Sequence, residues 1–288
     1  MSATKPIILI GTHRSGTTWL GKVLSTHSKL AYWIEPRYVW SWRNNYKPDD
    51  VLTEFDVTPT ITNHIRQRFD KFIKKQGKER LLEKTPSNCL RLSFIRAVYP
   101  EAKILHIIRD GRSVFNSVNQ ILNSGYYRQE VLSRRLLEMF LETPTWELPA
   151  QIPRITETLK SKLMGLPLTF WGPRPQGWRE WVKQDSPNVI LAKQWAAIIN
   201  QSIRDSALID SNFYYRFYYE DLINKPRETM SNIVEFAEID DTDKLIDYIK
   251  NTVNSGNQSK WRKILDKETL EEIQPYMEST LNKLGYKW

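Results

Sequence analysis

The apolar positions of this chain gather into four short runs, at 7–10, 80–83, 103–108 and 213–219. Apolar runs of this length without strict alternation suit strands covered on both faces, as in a parallel sheet. Between them the spacing becomes helical. Helices are predicted at 17–27, 90–99, 112–122, 191–209 and 226–237. The second stops at Pro100, as a helix does before proline, and the last opens on Pro226. Strands alternating with helices predict an α/β fold of three layers, a central parallel sheet flanked by helices. Ligands on such sheets bind outside the carboxyl ends of the strands. The segments 11–18, 84–88 and 109–110 fall there.

Residues 123–190 break this rhythm. The stretch carries Trp146, Trp171, Trp178 and Trp181 and prolines at 144, 149, 153, 167, 173, 175 and 187. It is too long for an ordinary loop. The expectation is a partly helical insertion over the strand ends, covering an acceptor site, or else an excursion whose aromatics merely pack. No repeat or linker divides the chain, so residues 1–288 are read as one domain.

Composition narrows the class. With 40% hydrophobic and 26% charged residues over 288 positions, a large core is affordable and global disorder is excluded. The net charge of +9 fits nucleic acid, a membrane surface or a polyanionic small ligand. No long Lys/Arg run supports the first two, so neither a nucleic-acid partner nor stable membrane insertion is expected. The lone cysteine, Cys89, cannot form an intramolecular disulfide. With no long apolar stretch and no apolar signal core, the expected location is cytoplasmic.

The most informative stretch is Ile7-Ile-Leu-Ile-Gly-Thr-His-Arg-Ser-Gly-Thr-Thr18. Strand, glycine loop and helix make a phosphate cradle: loop N–H groups point inward and the helix start adds partial positive charge. The ATP-binding version has Lys after the second glycine. Here Thr17 stands there, and the cation, Arg14, lies inside the loop. A second candidate anion site is Arg109-Asp-Gly-Arg-Ser-Val-Phe-Asn-Ser117. It joins a strand-end guanidinium to a hydroxyl two turns into the next helix. Guanidinium donors match phosphate oxygens two at a time. The structural alternative there is an Arg109–Asp110 pair capping the helix.

Together these segments resemble the sulfotransferases that use 3′-phosphoadenylyl sulfate (PAPS). The loop resembles their 5′-phosphosulfate element, and Ile108-Arg-Asp-Gly-Arg…Ser117 their 3′-phosphate element. Glu35-Pro36, Glu83-Lys-Thr-Pro86, Tyr219-Glu-Asp-Leu222, Ser259-Lys-Trp-Arg262 and Leu284-Gly-Tyr286 follow in the family's order over nearly the whole chain. Gly111, where proline is frequent, and the 123–190 insertion depart from the pattern. The resemblance implies a five-stranded parallel sheet of nucleotide-kinase type. It implies a sulfuryl transfer from PAPS to a hydroxyl of a saccharide, lipid or small alcohol, leaving adenosine 3′,5′-bisphosphate (PAP), with no metal required. Arg14, Ser15, Gly16, Thr17 and Thr18 would hold the 5′-phosphosulfate, and Arg109 and Ser117 the 3′-phosphate. Lys260 and Arg262 would close over the donor. Glu35 is the expected general base, and Lys84 and Arg14 the cations beside the breaking bond. His13 is the next candidate base. His106 is expected in the core, and His27 and His64 on helix surfaces without a partner. The rival reading is another P-loop enzyme, a kinase or NTPase.

Overall fold

The computed structural model describes residues 5–123, 145, 149, 170–240, 242–252 and 258–288. Most of the predicted insertion therefore lies outside the described residues. Five strands form one parallel sheet: β1 (Ile7–Ile10), β2 (Leu30–Ile34), β3 (Arg80–Lys84), β4 (Lys103–Ile108) and β5 (Tyr214–Tyr218), in the order β2-β3-β1-β4-β5. The chain runs from β1 outward through β2 to one side, and β4 and β5 lie on the other. The direction of winding changes at β1, so a crevice opens at its carboxyl end.

Both faces of the sheet are covered, which explains the unbroken apolar runs. Ile8 and Ile10 face a layer built by the Pro59–Lys75 and Leu92–Val98 helices with Trp40. Ile7 and Leu9 face the opposite layer, made by the Thr17–Leu24, Pro226–Ala237 and Thr242–Thr252 helices. A third cluster beside β4 joins the Gly111–Asn123, Pro187–Ser206 and Lys267–Lys283 helices.

The four expected strands are all present, and among the further elements are an edge strand and a long helix. The edge strand β2 pairs with β3 from Leu30 against Arg80 to Ile34 against Lys84. Only its first two residues are buried and Ile34 is exposed, so it carries no long apolar run. The Pro59–Lys75 helix buries Ile61, Ile65, Phe69 and Ile73, an every-fourth-residue stripe. The predicted 191–209 helix starts earlier, at Pro187, where the Ser186 side chain accepts from the Val189 N–H.

Candidate active site

The loop after β1 turns sharply. Ser15 N–H and Oγ both donate to the Thr12 carbonyl, at 3.2 and 2.6 Å. Gly16 takes φ +97°, and a Cβ there would sit 2.7 Å from the Tyr219 ring. Only glycine fits that close approach in that conformation. The Thr17–Leu24 helix follows at once, so its first N–H groups, without carbonyls a turn back, end at the loop.

A cleft of about 360 Å³ opens over this helix start. Arg14, Gly16, Thr17, Thr18, Lys22 and Arg109 line it, together with Trp19, Tyr219, Ile223 and Thr252. Arg109 Nη1 donates to the Arg14 carbonyl at 2.9 Å, and Arg14 Nε donates to Ser117 Oγ at 3.0 Å. The guanidinium of Arg109 lies 4.4 Å from the Tyr219 ring centre. Burial and then the nearby Arg109 pull the Arg14 pKa below its ordinary value. Two crowded guanidiniums beside a helix start favour an anion, since negative charge there relieves their repulsion. Asp110 caps the following helix, accepting from the Arg112 N–H at 2.9 Å, and the Arg112 guanidinium binds its carboxylate, with Nη2 to Oδ2 at 2.8 Å.

Glu35 and Lys84 stand on the neighbouring strand ends. Glu35 follows β2 directly, and its N–H donates to the Lys84 carbonyl at 2.7 Å. Lys84 Nζ reaches Glu35 Oε1 at 2.8 Å, and Arg37 Nη2 approaches Oε2 at 3.5 Å. Lys84 is buried rather than a surface lysine; burial lowers its pKa and Glu35 pulls it back up. His13 connects the two groups: it lies in the loop, and its electrostatic neighbours are Arg37, Arg14 and Glu35. Burial foremost, with both arginines, drives His13 down to about 3. An imidazole of such low proton affinity is a poor base at neutral pH.

Behind Lys84, Glu83 is fully buried. It accepts from Thr85 Oγ1 and from Asn88 Nδ2, the latter at 2.8 Å. Burial raises its pKa to about 7. Part of the insertion, residues 170–175, crosses the same end of the sheet. Gln194 Nε2 donates to the Trp171 and Pro173 carbonyls at 2.8 Å each, the Arg174 N–H donates to Asp50 Oδ2 at 2.8 Å, and the Asp50 N–H donates to the Arg174 carbonyl at 2.7 Å. Trp171 meets the His13 ring edge-on at 4.9 Å.

The geometry therefore gathers Arg14, Gly16, Thr17, Thr18 and Arg109 in the cleft and holds Ser117 on Arg14. Ser15 is fully buried beneath the loop. Lys260 and Arg262 are exposed and do not line the cleft; the Trp261 ring between them packs 4.2 Å from the Arg112 guanidinium. His106 is in the core, with Nδ1 at 2.6 Å from Tyr214 Oη. His27 departs from expectation: it is buried and bonded to Asp240, which arrives from a distant turn that local sequence cannot reveal. His64 is half-buried, stacked on Trp42 with ring centres 3.9 Å apart. Lys22, Ile223 and Thr252 escaped sequence reasoning. Lys22 alone left a trace, one turn beyond the loop on the same helix.

Residues 6–146 match the model of the sulfotransferase family. That match takes in just under half of the chain. The chain is 29% identical over 126 residues to the protein-tyrosine sulfotransferase A of Caenorhabditis elegans, covering 40% of this chain and 33% of the relative. It is 30% identical over 124 residues to human protein-tyrosine sulfotransferase 1, covering 39% and 34%. The match thus spans about a third of the length of these curated relatives. Among solved structures, the sulfotransferase domain from the curacin biosynthetic pathway superposes with TM-score 0.57 at 16% identity, covering 100% of this chain and 99% of that one. A Mycobacterium avium sulfotransferase gives 0.55 at 12% identity, covering 100% and 78%. At such identities the structural likeness is one of fold. The five-stranded parallel sheet expected from the sequence is the shared architecture.

Proposed function

We propose that this protein is a PAPS-dependent sulfotransferase acting on a hydroxyl acceptor. One observation carries the reading: Arg14, Lys22 and Arg109 converge on a helix start, with Thr17 where an ATP-binding loop has lysine, beside the pair of buried Lys84 and half-buried Glu35. The donor set suits a ligand with separated anionic groups. The loop and helix start suit a 5′-phosphosulfate, and Arg109 with Ser117 suit a 3′-phosphate. Gly16, with no Cβ, lets the Tyr219 ring close against the loop. When bound, PAPS supplies an SO3 group on a phosphate leaving group.

The chain's own groups then divide the work. Positioning and charge stabilisation dominate such in-line transfers. Arg14 and Lys84 stabilise negative charge where the S–O bond to phosphate breaks. Glu35 takes the acceptor's proton as its oxygen bonds to sulfur. Lys84 serves two ends, because the ammonium that balances Glu35 can turn toward the leaving oxygen and free the carboxylate. His13 is the weaker base on the grounds given above. The names of the curated relatives add a tyrosine phenol to saccharide, lipid and small-alcohol hydroxyls as acceptors to test. Residues 123–190 are read as the cover of the acceptor site within one domain, 1–288. A reducing, cytoplasmic setting accords with Cys89, a fully buried thiol that burial pushes up to about 12. No helix among the described residues is long and apolar enough to cross a membrane.

The direct test incubates the protein with sulfur-labelled PAPS and a panel of these hydroxyl acceptors. Transfer of label to one class supports the reading. Retention of all label on the nucleotide across the panel, with no PAP released, contradicts it.

A further inference from the structure

Arg109 needs a fixed backbone to aim at an anion, and the structure supplies an unusual support behind it. The next residue, Asp110, takes three bonds from Arg112: backbone N at 2.9 Å, Nε at 3.0 Å and Nη2 at 2.8 Å. Arg112 in turn donates through Nη1 to the Lys287 carbonyl at 2.9 Å. Its guanidinium lies 4.2 Å from the Trp261 ring centre and 5.4 Å from that of Trp288. The Asp110 N–H donates to Glu220 Oε1 at 3.2 Å, and Tyr286 Oη donates to Glu220 Oε2 at 2.7 Å. Residues 286–288 thus grip Asp110 by two routes, one through Arg112 and one through Glu220. They reach it because the chain reverses after the Lys267–Lys283 helix, with Tyr286 N–H on the Leu281 carbonyl at 3.0 Å.

The same support accounts for Gly111. A Cβ there would lie 2.6 Å from Met277 Cε and from Trp195 Cε2. Proline carries that Cβ, so the family's frequent residue does not fit while the Lys267–Lys283 helix presses this close.

We propose that Tyr286 and Trp288 are positioning residues for Arg109, holding its guanidinium where it meets the donor's 3′-phosphate; the inference rests on the reading of the cleft as the donor site. The support acts first on the end assigned to the 3′-phosphate, which meets the loop through the Arg109–Arg14 and Arg14–Ser117 bonds. The loop 11–18 is built on β1 and holds the other end, so loss of the support falls mainly on the 3′-phosphate.

Calorimetric titration with PAP and with adenosine 5′-phosphate reads this difference. Trp288→Ala is expected to weaken PAP binding by about tenfold while adenosine 5′-phosphate changes by less than about twofold, and Trp288→Phe restores most of the loss. Tyr286→Phe removes one hydroxyl, keeps the ring, and is expected to shift PAP in the same direction; it carries the test if Trp288→Ala does not fold. An equal loss for both nucleotides, or unchanged PAP binding with only a lowered melting temperature, overturns the proposal and leaves these residues structural. A wild-type protein that binds neither nucleotide overturns the donor-site reading itself, and this inference falls with it.

Discussion

Glu35 and Arg14 reach the site on backbones that L-residues seldom adopt, with φ of +55° and +65°. Such conformations cost about 1–3 kcal/mol each and persist where surrounding structure imposes them. At Glu35 the N–H on the Lys84 carbonyl and the Arg37 N–H on its own carbonyl impose the turn. Glu35→Gln keeps that turn and removes the proton acceptor. Turnover is expected to fall by at least about 10²-fold with PAP affinity retained; near-normal turnover would move the base elsewhere. Glu83 makes a pH prediction. Its folded pKa, about 7, lies above the ordinary 4.5 because burial disfavours the carboxylate. The stability it contributes is full below pH 4.5 and is lost as pH rises through 7. Glu83→Gln should flatten the fall in melting temperature across that window, while an unchanged profile would show that Glu83 keeps an ordinary pKa. At this scale the sequence was informative about residue types. Arg14, Arg109 and Lys84 stand out because they follow predicted strands, whereas Glu35 stands out only through the family resemblance, since its strand β2 shows no strand pattern. The Glu35–Lys84 bond and the Arg112 clamp stayed hidden, since they join segments 49 and 175 positions apart.

Elements were legible where burial is symmetric. β1 and β4 are buried on both faces and read as unbroken apolar runs. β2, an edge strand ending on exposed Ile34, has neither a run nor clean alternation, although Glu35 depends on it for placement. The Pro59–Lys75 helix carries its own start signal, Thr58 before Pro59, with Thr58 Oγ1 accepting from Ile61 N–H at 3.3 Å. Thr58→Ala should cost about 1 kcal/mol and lower the melting temperature by about 2–4 °C, without touching nucleotide affinity. A change in PAP affinity would mean that this helix reaches the site through β2. Gly111→Ala is expected to be far more damaging than an ordinary glycine substitution. Trp195, 1% exposed, cannot move aside, and the cost should reach the 1–3 kcal/mol typical of overpacked cores.

For the whole molecule, the parallel order β2-β3-β1-β4-β5 decides what local pattern cannot. It puts β1 at the point where the winding changes and brings the ends of β2, β3 and β4 to the same crevice. Glu35, Lys84, Arg14 and Arg109 become neighbours through topology, from four separate stretches of chain. The net charge of +9 gains a local meaning, because three of the cations line one cleft. The central claim is that this cleft is built for a 3′,5′-bisphosphorylated adenosine rather than a nucleoside triphosphate with magnesium. Thermal unfolding with each ligand tests it most directly. At about 100 times its dissociation constant, PAP should stabilise the fold by about 2.7 kcal/mol and raise the melting temperature by several degrees. ATP with Mg²⁺ should shift it little. Stabilisation by ATP–Mg²⁺ with none from PAP would contradict the account.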